Sequence, residues 1–362
     1  MSNYGTKLVE MFSQKVIGIF FERSVSDSIC NNEYEGEIKD RASKLNIYTF
    51  GKLTLKDYTG ADLTADDPQE SIALLSTDQQ KAYYFKIKSL DKFHSWIKNP
   101  EGTLIEQCGN SLKETIDAYV LALYPDVAAG QRIGTDYTTG TVAVAVTTGD
   151  VTGTGTTFTA NMVGKGFKAT GHTKWYRVKS YVSATAIVIE DDLDDATSAY
   201  TGGAIAAGAS YVIEAATKLQ VSKTTIYSKI CDLKTLLDLA KIPATDRWLV
   251  VPSKIANLLI QASELIPAVP TAYENTVLKG LIGEVAGFRV FQSEQVNGDN
   301  TNGYHVLAGH KSAITLGLAF TESGIEDSIP GNFGQAYKGL NIYGAKVVDE
   351  RRKALAELFC YV

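Results

Sequence analysis

The apolar positions change period several times along the chain. Leu8, Val9, Phe12, Val16, Ile19 and Phe20 recur near helical spacing and predict a short amphipathic helix. Residues 24–44 are polar. Strict alternation then sets Leu45, Ile47 and Thr49 on one face against Asn46, Tyr48 and Phe50 on the other, continuing through Leu53 and Leu55. A second alternating run opposes Tyr83, Phe85 and Ile87 to Tyr84, Lys86 and Lys88, with the turn former Asp66-Asp67-Pro68 between the runs. Together they predict a long two-stranded excursion. An isolated hairpin is marginal in water, so this excursion is expected to pack on something else.

A strong helix follows. Leu104, Ile105, Cys108, Leu112, Ile116, Tyr119, Val120 and Leu123 hold the i, i+3, i+4, i+7 pattern, with Gly102 and Thr103 before it and Pro125 as its stop, which predicts a helix over 103–124. Short strands are predicted next, at Val142–Val146, Gly166–Ala169, Trp175–Val182, Ala186–Glu190 and Ser210–Ile213, separated by turn residues. The last part reads as α/β. Ile226, Ile230, Leu233, Leu236 and Leu237 mark a helix ending before Pro243. Trp248–Val251 is a buried strand, and Ser253 is expected to cap a helix through Ile255, Leu258 and Leu259. Gly287–Gln292 and Tyr304–Leu307 read as strands. The pattern closes with a predicted hairpin, out through Leu340, Ile342 and Val348, around the exposed charged turn Asp349–Lys353, and back along Leu355–Val362.

Composition sharpens this division. From Thr135 to Ala160, Thr and Gly fill 15 of 26 positions, a bias that fades by about Val212, so 135–213 reads as a foreign β module in a mixed α/β protein. Tyr, Phe and Trp number 19, 13 and 3, enough for a normal core in 362 residues, which suggest two or three domains. The net charge of −6 argues against strong nucleic-acid binding or attraction to an anionic membrane. Cys30, Cys108, Cys231 and Cys360 are too scattered for a zinc or redox pair and fit a reducing compartment. Val16–Phe21 is too short for a secretion signal, and no run reaches the length of a membrane span.

The motifs of catalysis are missing: no phosphate loop, no HExxH, no GxSxG. Gly153-Thr154-Gly155 reads as a β-turn. His305 and His310 read as one strand and one surface histidine, not a metal pair. The acidic run from Glu190 to Asp195 reads as a solvated loop, and Arg351-Arg352-Lys353 as an exposed turn. No enzyme activity, cofactor or metal is expected.

Several segments, in order, resemble the major capsid proteins of tailed bacteriophages, the Hong Kong 97-type fold. They are Asn32-Glu33-Tyr34-Glu35-Gly36-Glu37-Ile38-Lys39; Leu53 to Thr59 and Asp78 to Ile87; Pro243 to Pro252; Gly280 to Phe288; and Gly339 to Val347. The resemblance implies an α+β fold with an N-terminal arm (1–40), an extended loop lying on a neighbouring subunit (41–93), a peripheral domain with a spine helix (94–134 and 336–362), an axial domain (214–335), and an inserted small β-sandwich or barrel (135–213). Trp175, Tyr176, Val178, Ile187 and Ile189 would supply the core of that insert. Some relatives cross-link through lysine and asparagine. Lys52 and Lys56 fall in the loop, but no partner asparagine or catalytic glutamate matches, so no cross-link is expected.

The implied function is a shell protein assembling with itself into pentamers and hexamers of an icosahedral capsid. The implied partners are a portal, a scaffolding protein, a cement or decoration protein, and packaged double-stranded DNA held without sequence-specific contact. Such a virion protein would be made and assembled in host cytoplasm, with no membrane contact. Phe12, Phe20, Tyr48, Phe50, Tyr58, Tyr83 and Phe85 are the candidate intersubunit contacts, because apolar reaching segments without their own core need burial between copies. An encapsulin-type nanocompartment would use the same fold around cargo. A β-rich glycan-binding protein is the alternative from another class.

Overall fold

The computed structural model describes residues 24–31, 44–50, 70–88, 100–192, 199–262, 283–326 and 333–362. The first described segment is short and well anchored. Helix α1 (Ser26–Ile29) buries Val25, Ile29 and Cys30 in the main core. The Asp117 carboxylate accepts the backbone N–H groups of Val25 (2.9 Å) and Ser26 (3.0 Å) and the Ser24 hydroxyl (3.0 Å). Strands β1 (Lys44–Phe50) and β2 (Glu70–Ser76) form an antiparallel ribbon, followed by β3 (Gln79–Lys88). Helix α2 (Pro100–Leu121) begins and ends three residues earlier than its periodicity predicts. Proline fits the first helical turn, and a 3-10 turn at Tyr124–Asp126 takes over around Pro125. Its inner face buries Ile116, Val120 and Leu121.

After β4 (Arg132–Ile133), eight strands make one sheet: β5 (Thr135–Tyr137), β6 (Thr141–Val144), β7 (Asp150–Thr154), β8 (Gly166–Ala169), β9 (Tyr176–Ser183), β10 (Ala186–Asp191), β11 (Ile205–Ala209) and β12 (Tyr211–Thr217). Their order is β11-β6-β7-β10-β9-β8-β12-β5. The sheet carries its own buried cluster, with Val142, Val144, Val151, Phe158, Phe167, Tyr176, Val178, Ile187, Ile189, Tyr211 and Ile213. Alternation is the cause: β6 and β7 bury every second residue. Trp175, expected in this cluster, is half-buried instead and lies against Gly130 (φ +88°), where a Cβ would stand 2.9 Å from the indole ring. Strand β7 is an addition to the sequence reading. Its small Thr and Gly residues mimic turn composition, and Gly153-Thr154 ends the strand while Gly155 makes the turn at φ +70°.

The rest of the chain supplies the main core. Short β13 (Leu219–Gln220) leads to α3 (Ile226–Leu239), β14 (Arg247–Val251) and α4 (Ser253–Gln261), then β15 (Glu284–Val285), β16 (Phe288–Gln292), β17 (Gly298–Asp299), β18 (Gly303–His310), β19 (Ile314–Glu326), β20 (Gly334–Val347) and β21 (Leu355–Tyr361). All of β14 is buried, parallel to β16 and antiparallel to β18 in a sheet ordered β13-β21-β18-β14-β16-β15. Ser253 does not cap α4. Pro252 holds the cap position, and the Ser253 N–H, as the first helical donor, bonds Glu294 at 2.7 Å.

Two expected pairings do not form. The alternating runs around 45–50 and 83–88 do not pair with each other: β1 pairs β2, whereas β3 pairs β20 in the sheet β19-β20-β3. The closing hairpin is absent as well. Strand β20 pairs β19 and β3, while β21 crosses to pair β18 and β4. The turn between them, a 3-10 segment at Asp349–Ala354, is anchored through Arg352. Arg352 is buried, donates Nε to the Asp126 carbonyl (2.9 Å) and pairs Asp192 at 3.0 Å. That turn redirects the chain into the other sheet.

Candidate functional site

Two places in the described structure gather chemistry. The first is an apolar surface shared by β3, β19, β20 and α2. Register puts Phe85, Tyr337 and Ile325 in one row across the three strands, on a single face. Phe85 stacks on Tyr337 at 5.2 Å and Tyr83 on Phe85 at 6.3 Å. Tyr83 also lies over Gly339, where any Cβ would overlap its ring. Tyr337 is buried, Tyr83 and Phe85 are half-buried, and Ile325 is 60% exposed. A groove of about 520 Å³ runs beside this strip, between Tyr83 and Lys81 on β3 and Leu104, Cys108 and Leu112 on α2. Leu104 and Ile105 at the start of that helix are both exposed.

The ribbon β1–β2 continues the theme. Ile47 and Leu75 are buried on one face, so the ribbon has an anchored side within its own chain. Tyr48 and Phe50 lie on β1, whose backbone pairs them with Ile72 and Glu70 of β2. Of the candidate contact residues, Tyr83 and Phe85 are thus brought together. Tyr48 and Phe50 are placed by strand path alone. Phe12, Phe20 and Tyr58 lie outside the described residues. Tyr337 and Ile325 complete the strip and escaped the sequence reading, although their spacing on long alternating strands carries the signal.

The second place is a buried ion cluster where the eight-stranded sheet meets the main core. The Glu357 carboxylate, fully buried on β21, takes Lys165 Nζ at 3.3 Å and His305 Nδ1 at 2.6 Å on Oε1, and Arg132 Nε at 3.0 Å on Oε2. Burial opposes its charge, but Lys165, the His305 bond and Arg132 outweigh that and hold it down to about 2. The His305 ring is sandwiched between Tyr124 (3.8 Å) and Phe359 (4.4 Å). Arg132 also donates Nη1 to the Gly164 carbonyl and Nη2 to the carbonyls of Pro125 and Val127. Glu214 on β12 accepts Gly130 N–H at 2.7 Å and Gly166 N–H at 3.1 Å. Burial pushes it up to about 7, with Arg132 opposing only from 3.9 Å. A cavity of about 700 Å³ opens beside the cluster, lined by Tyr124, Arg132, Lys165, Lys218, His305 and Phe359.

The charged runs of the sequence serve this junction. Asp191, expected to be solvated, is buried and bonds Lys174 (2.8 Å) and Thr201 (2.7 Å). Asp192 accepts Ala129 N–H at 2.6 Å as well as pairing Arg352. His305 and His310 both lie on β18 and do not face one another. His310 bonds Ser312 instead. Among the described residues no group of three His, Cys, Asp or Glu side chains converges as a metal site, and no helix is long and apolar enough to cross a membrane.

No protein-family model matches the chain, and no curated protein does. Solved structures do. A chain of Mycobacterium phage Che8 is 16% identical, with 98% of this chain and 97% of that one covered, at a TM-score of 0.63. The capsid structure of cyanophage P-SCSP1u gives 13% identity, 98% and 93% coverage and a TM-score of 0.61. The capsid asymmetric unit of cyanophage Pam1 gives 14%, 99% and 98%, and 0.60. Over nearly its whole length, this strand-rich α+β chain has the fold of chains from bacteriophage capsids.

Proposed function

We propose that the chain is the major capsid protein of a tailed bacteriophage, of the Hong Kong 97 type, assembling into pentamers and hexamers of an icosahedral shell around double-stranded DNA. The carrying observation is end-to-end likeness to capsid chains, which extends across the eight-stranded sheet and the main core alike. The partly exposed strip of Tyr83, Phe85 and Ile325 supports it, because a continuous apolar strip on a sheet face gains by burial against another copy. In this reading residues 1–40 are the arm and 41–93 the extended loop. Residues 94–134 and 336–362 form the peripheral part, 135–213 an inserted β domain, and 214–335 the axial part. The protein is a structural virion component, made in host cytoplasm, with a portal, a scaffolding protein and a cement or decoration protein as its partners.

Expression of the full chain, alone and with its genomic neighbours, followed by electron microscopy tests this. Closed shells with five-fold and six-fold capsomers are the expected result. A protein that stays a well-folded monomer at high concentration under every condition tried overturns the reading.

A further inference from the structure

Asparagine is followed by glycine at two steps in the chain, Asn297-Gly298 and Asn302-Gly303, on either side of one tight turn. The turn joins β17 to β18, where Gly298 pairs with Tyr304 and Asp299 with Gly303. Backbone geometry requires both glycines. Gly298 has φ +97° and Gly303 φ +101°, and a Cβ on Gly298 would overlap the Gly303 carbonyl oxygen. A glycine after asparagine leaves its amide nitrogen unshielded, so each step is disposed to attack by that nitrogen on the preceding carboxamide.

The fold treats the two steps differently. Asn302 is clamped. The Asp299 carboxylate accepts its backbone N–H at 2.6 Å on Oδ1 and its Nδ2 at 2.9 Å on Oδ2. Oδ1 also takes the Thr301 N–H at 2.6 Å. Gly303 is buried, and a Cβ there would stand 2.6 Å from the Phe359 ring and 3.0 Å from Lys218 Cβ. Asn297 and Gly298 are both exposed. Among the described residues nothing hydrogen-bonds the Asn297 carboxamide, and the tie on this residue is its carbonyl, which accepts the His305 N–H at 2.9 Å.

We propose that Asn297 is a site of spontaneous deamidation, with Gly298 as the nucleophile, and that the Asp299 clamp spares Asn302. The Gly298 nitrogen gives up its proton and bonds to Asn297 Cγ. The carboxamide nitrogen leaves as ammonia, carrying a proton in place of the one released, and a cyclic imide remains. Water, supplied by the exposure of the site, opens the imide at either carbonyl and returns aspartate or isoaspartate. Neither step oxidises or reduces anything. Reaching the same geometry at Asn302 first breaks two charge-assisted bonds to Asp299, which are stronger than neutral ones. Isoaspartate adds a methylene to the main chain, so that product displaces Gly298 from its close fit against Gly303 and loosens β17 on β18. The inference rests on this turn alone and is independent of what the chain assembles into.

Peptide mapping by mass spectrometry of the full chain, aged in mildly alkaline buffer, tests it. Water enriched in heavy oxygen marks every imide that has opened. Asn297 should convert at least about ten-fold faster than Asn302, the ratio given by a barrier difference of about 1.4 kcal/mol. Asp299→Ala should speed Asn302 and leave Asn297 as it was. In the urea-unfolded chain the two rates should converge, because the clamp is gone. Asn302 converting as fast as Asn297 in the folded chain overturns the proposal. An Asn297 that stays intact in the folded chain overturns it as well. An undiminished gap in the unfolded chain would place the selectivity in the sequence and not the fold, and an unchanged Asn302 rate in Asp299→Ala would remove the clamp; either result overturns it too.

Discussion

Glu357 shows how a single buried charge is made tolerable. Three partners from three separate segments satisfy it: Arg132 of β4, Lys165 just before β8 and His305 of β18. Glu357→Ala should therefore cost about 3–5 kcal/mol, because Arg132 and Lys165 would remain buried and uncompensated. Chemical unfolding of the variant reads this directly. The two glutamates have opposite pH signatures. Glu357 contributes stability above its ordinary value of 4.5 and loses it as pH falls toward about 2, whereas Glu214 contributes below 4.5 and loses that contribution as pH rises through about 7. His172 adds a third signature inside the eight-stranded sheet. It accepts Ala169 N–H on Nδ1 (3.2 Å), and Nε2 bonds the Tyr200 hydroxyl at 2.8 Å, which fixes the neutral tautomer. Burial, with Lys168 assisting, lowers its titration below 6.5, so the sheet is stabilised above that value and weakened as pH falls through the lowered one. An imidazole proton resonance titrating at or above 6.5 would contradict this.

At the scale of elements, α1 is too short to stand alone, since isolated helices below about 12 residues are marginal. Asp117 on α2 makes up the deficit by accepting the N–H groups at its start. Asp117→Ala leaves those donors buried and unpaired, at about 1–3 kcal/mol. The loss should be local, with faster exchange and protease cleavage at 24–31 while β14 keeps its protection. Similar exchange in variant and parent would show that the apolar contacts of Val25 and Ile29 suffice. Strand β3 illustrates a different point. It is an edge strand whose aromatic face is half-covered by Tyr337, which makes it both a part of its own sheet and an available surface. Ile325→Asp, at a site already 60% exposed, should leave the fold and thermal unfolding of the free chain nearly unchanged. If the strip is an intersubunit contact, particle yield should nonetheless fall sharply. Normal yield from that variant would remove the strip from the assembly surface.

For the whole molecule, the separate cluster of the eight-stranded sheet means that its apolar core does not depend on the main one. Its ends are also close together, since Tyr211 Oη bonds the Thr139 carbonyl at 2.7 Å. Replacing 139–209 by a short Gly/Ser linker should leave the main sheet folded and reduce particle stability, because β5 and β12 keep Glu214 in place while Lys165, Gly166 and Asp192 are lost. Failure of the shortened chain to fold would mean that the charged junction is a requirement of the core. In a shell, the sheet is proposed to lie on the outer face. Density for it inside the particle would reverse that placement.

Periodicity alone determined the long helix α2, the five stronger strands of the Thr/Gly-rich region, the buried strand at 248–251 and the aromatic pair Tyr83 and Phe85. Each is a local pattern, set by the 3.6- or two-residue repeat of burial. What tertiary structure decided is which strands meet. Alternation around 45–50 and 83–88 was plain, but partner choice depends on register and sheet edges distant in sequence, so β1 found β2 and β3 found β20. The charged junction was equally hidden. Arg132, Lys165, Glu214, His305 and Glu357 are spread over more than two hundred residues, and only lone carboxylates within otherwise apolar strands, as in Ile213-Glu214-Ala215 and Ala356-Glu357-Leu358, hint at it. Arg351-Arg352-Lys353 and Asp191-Asp192 looked like solvated runs because local composition reports charge and not partners. Bringing Arg352 to Asp192 takes the crossing of β21 into the main sheet, an event 160 residues away in sequence, where burial then makes pairing obligatory.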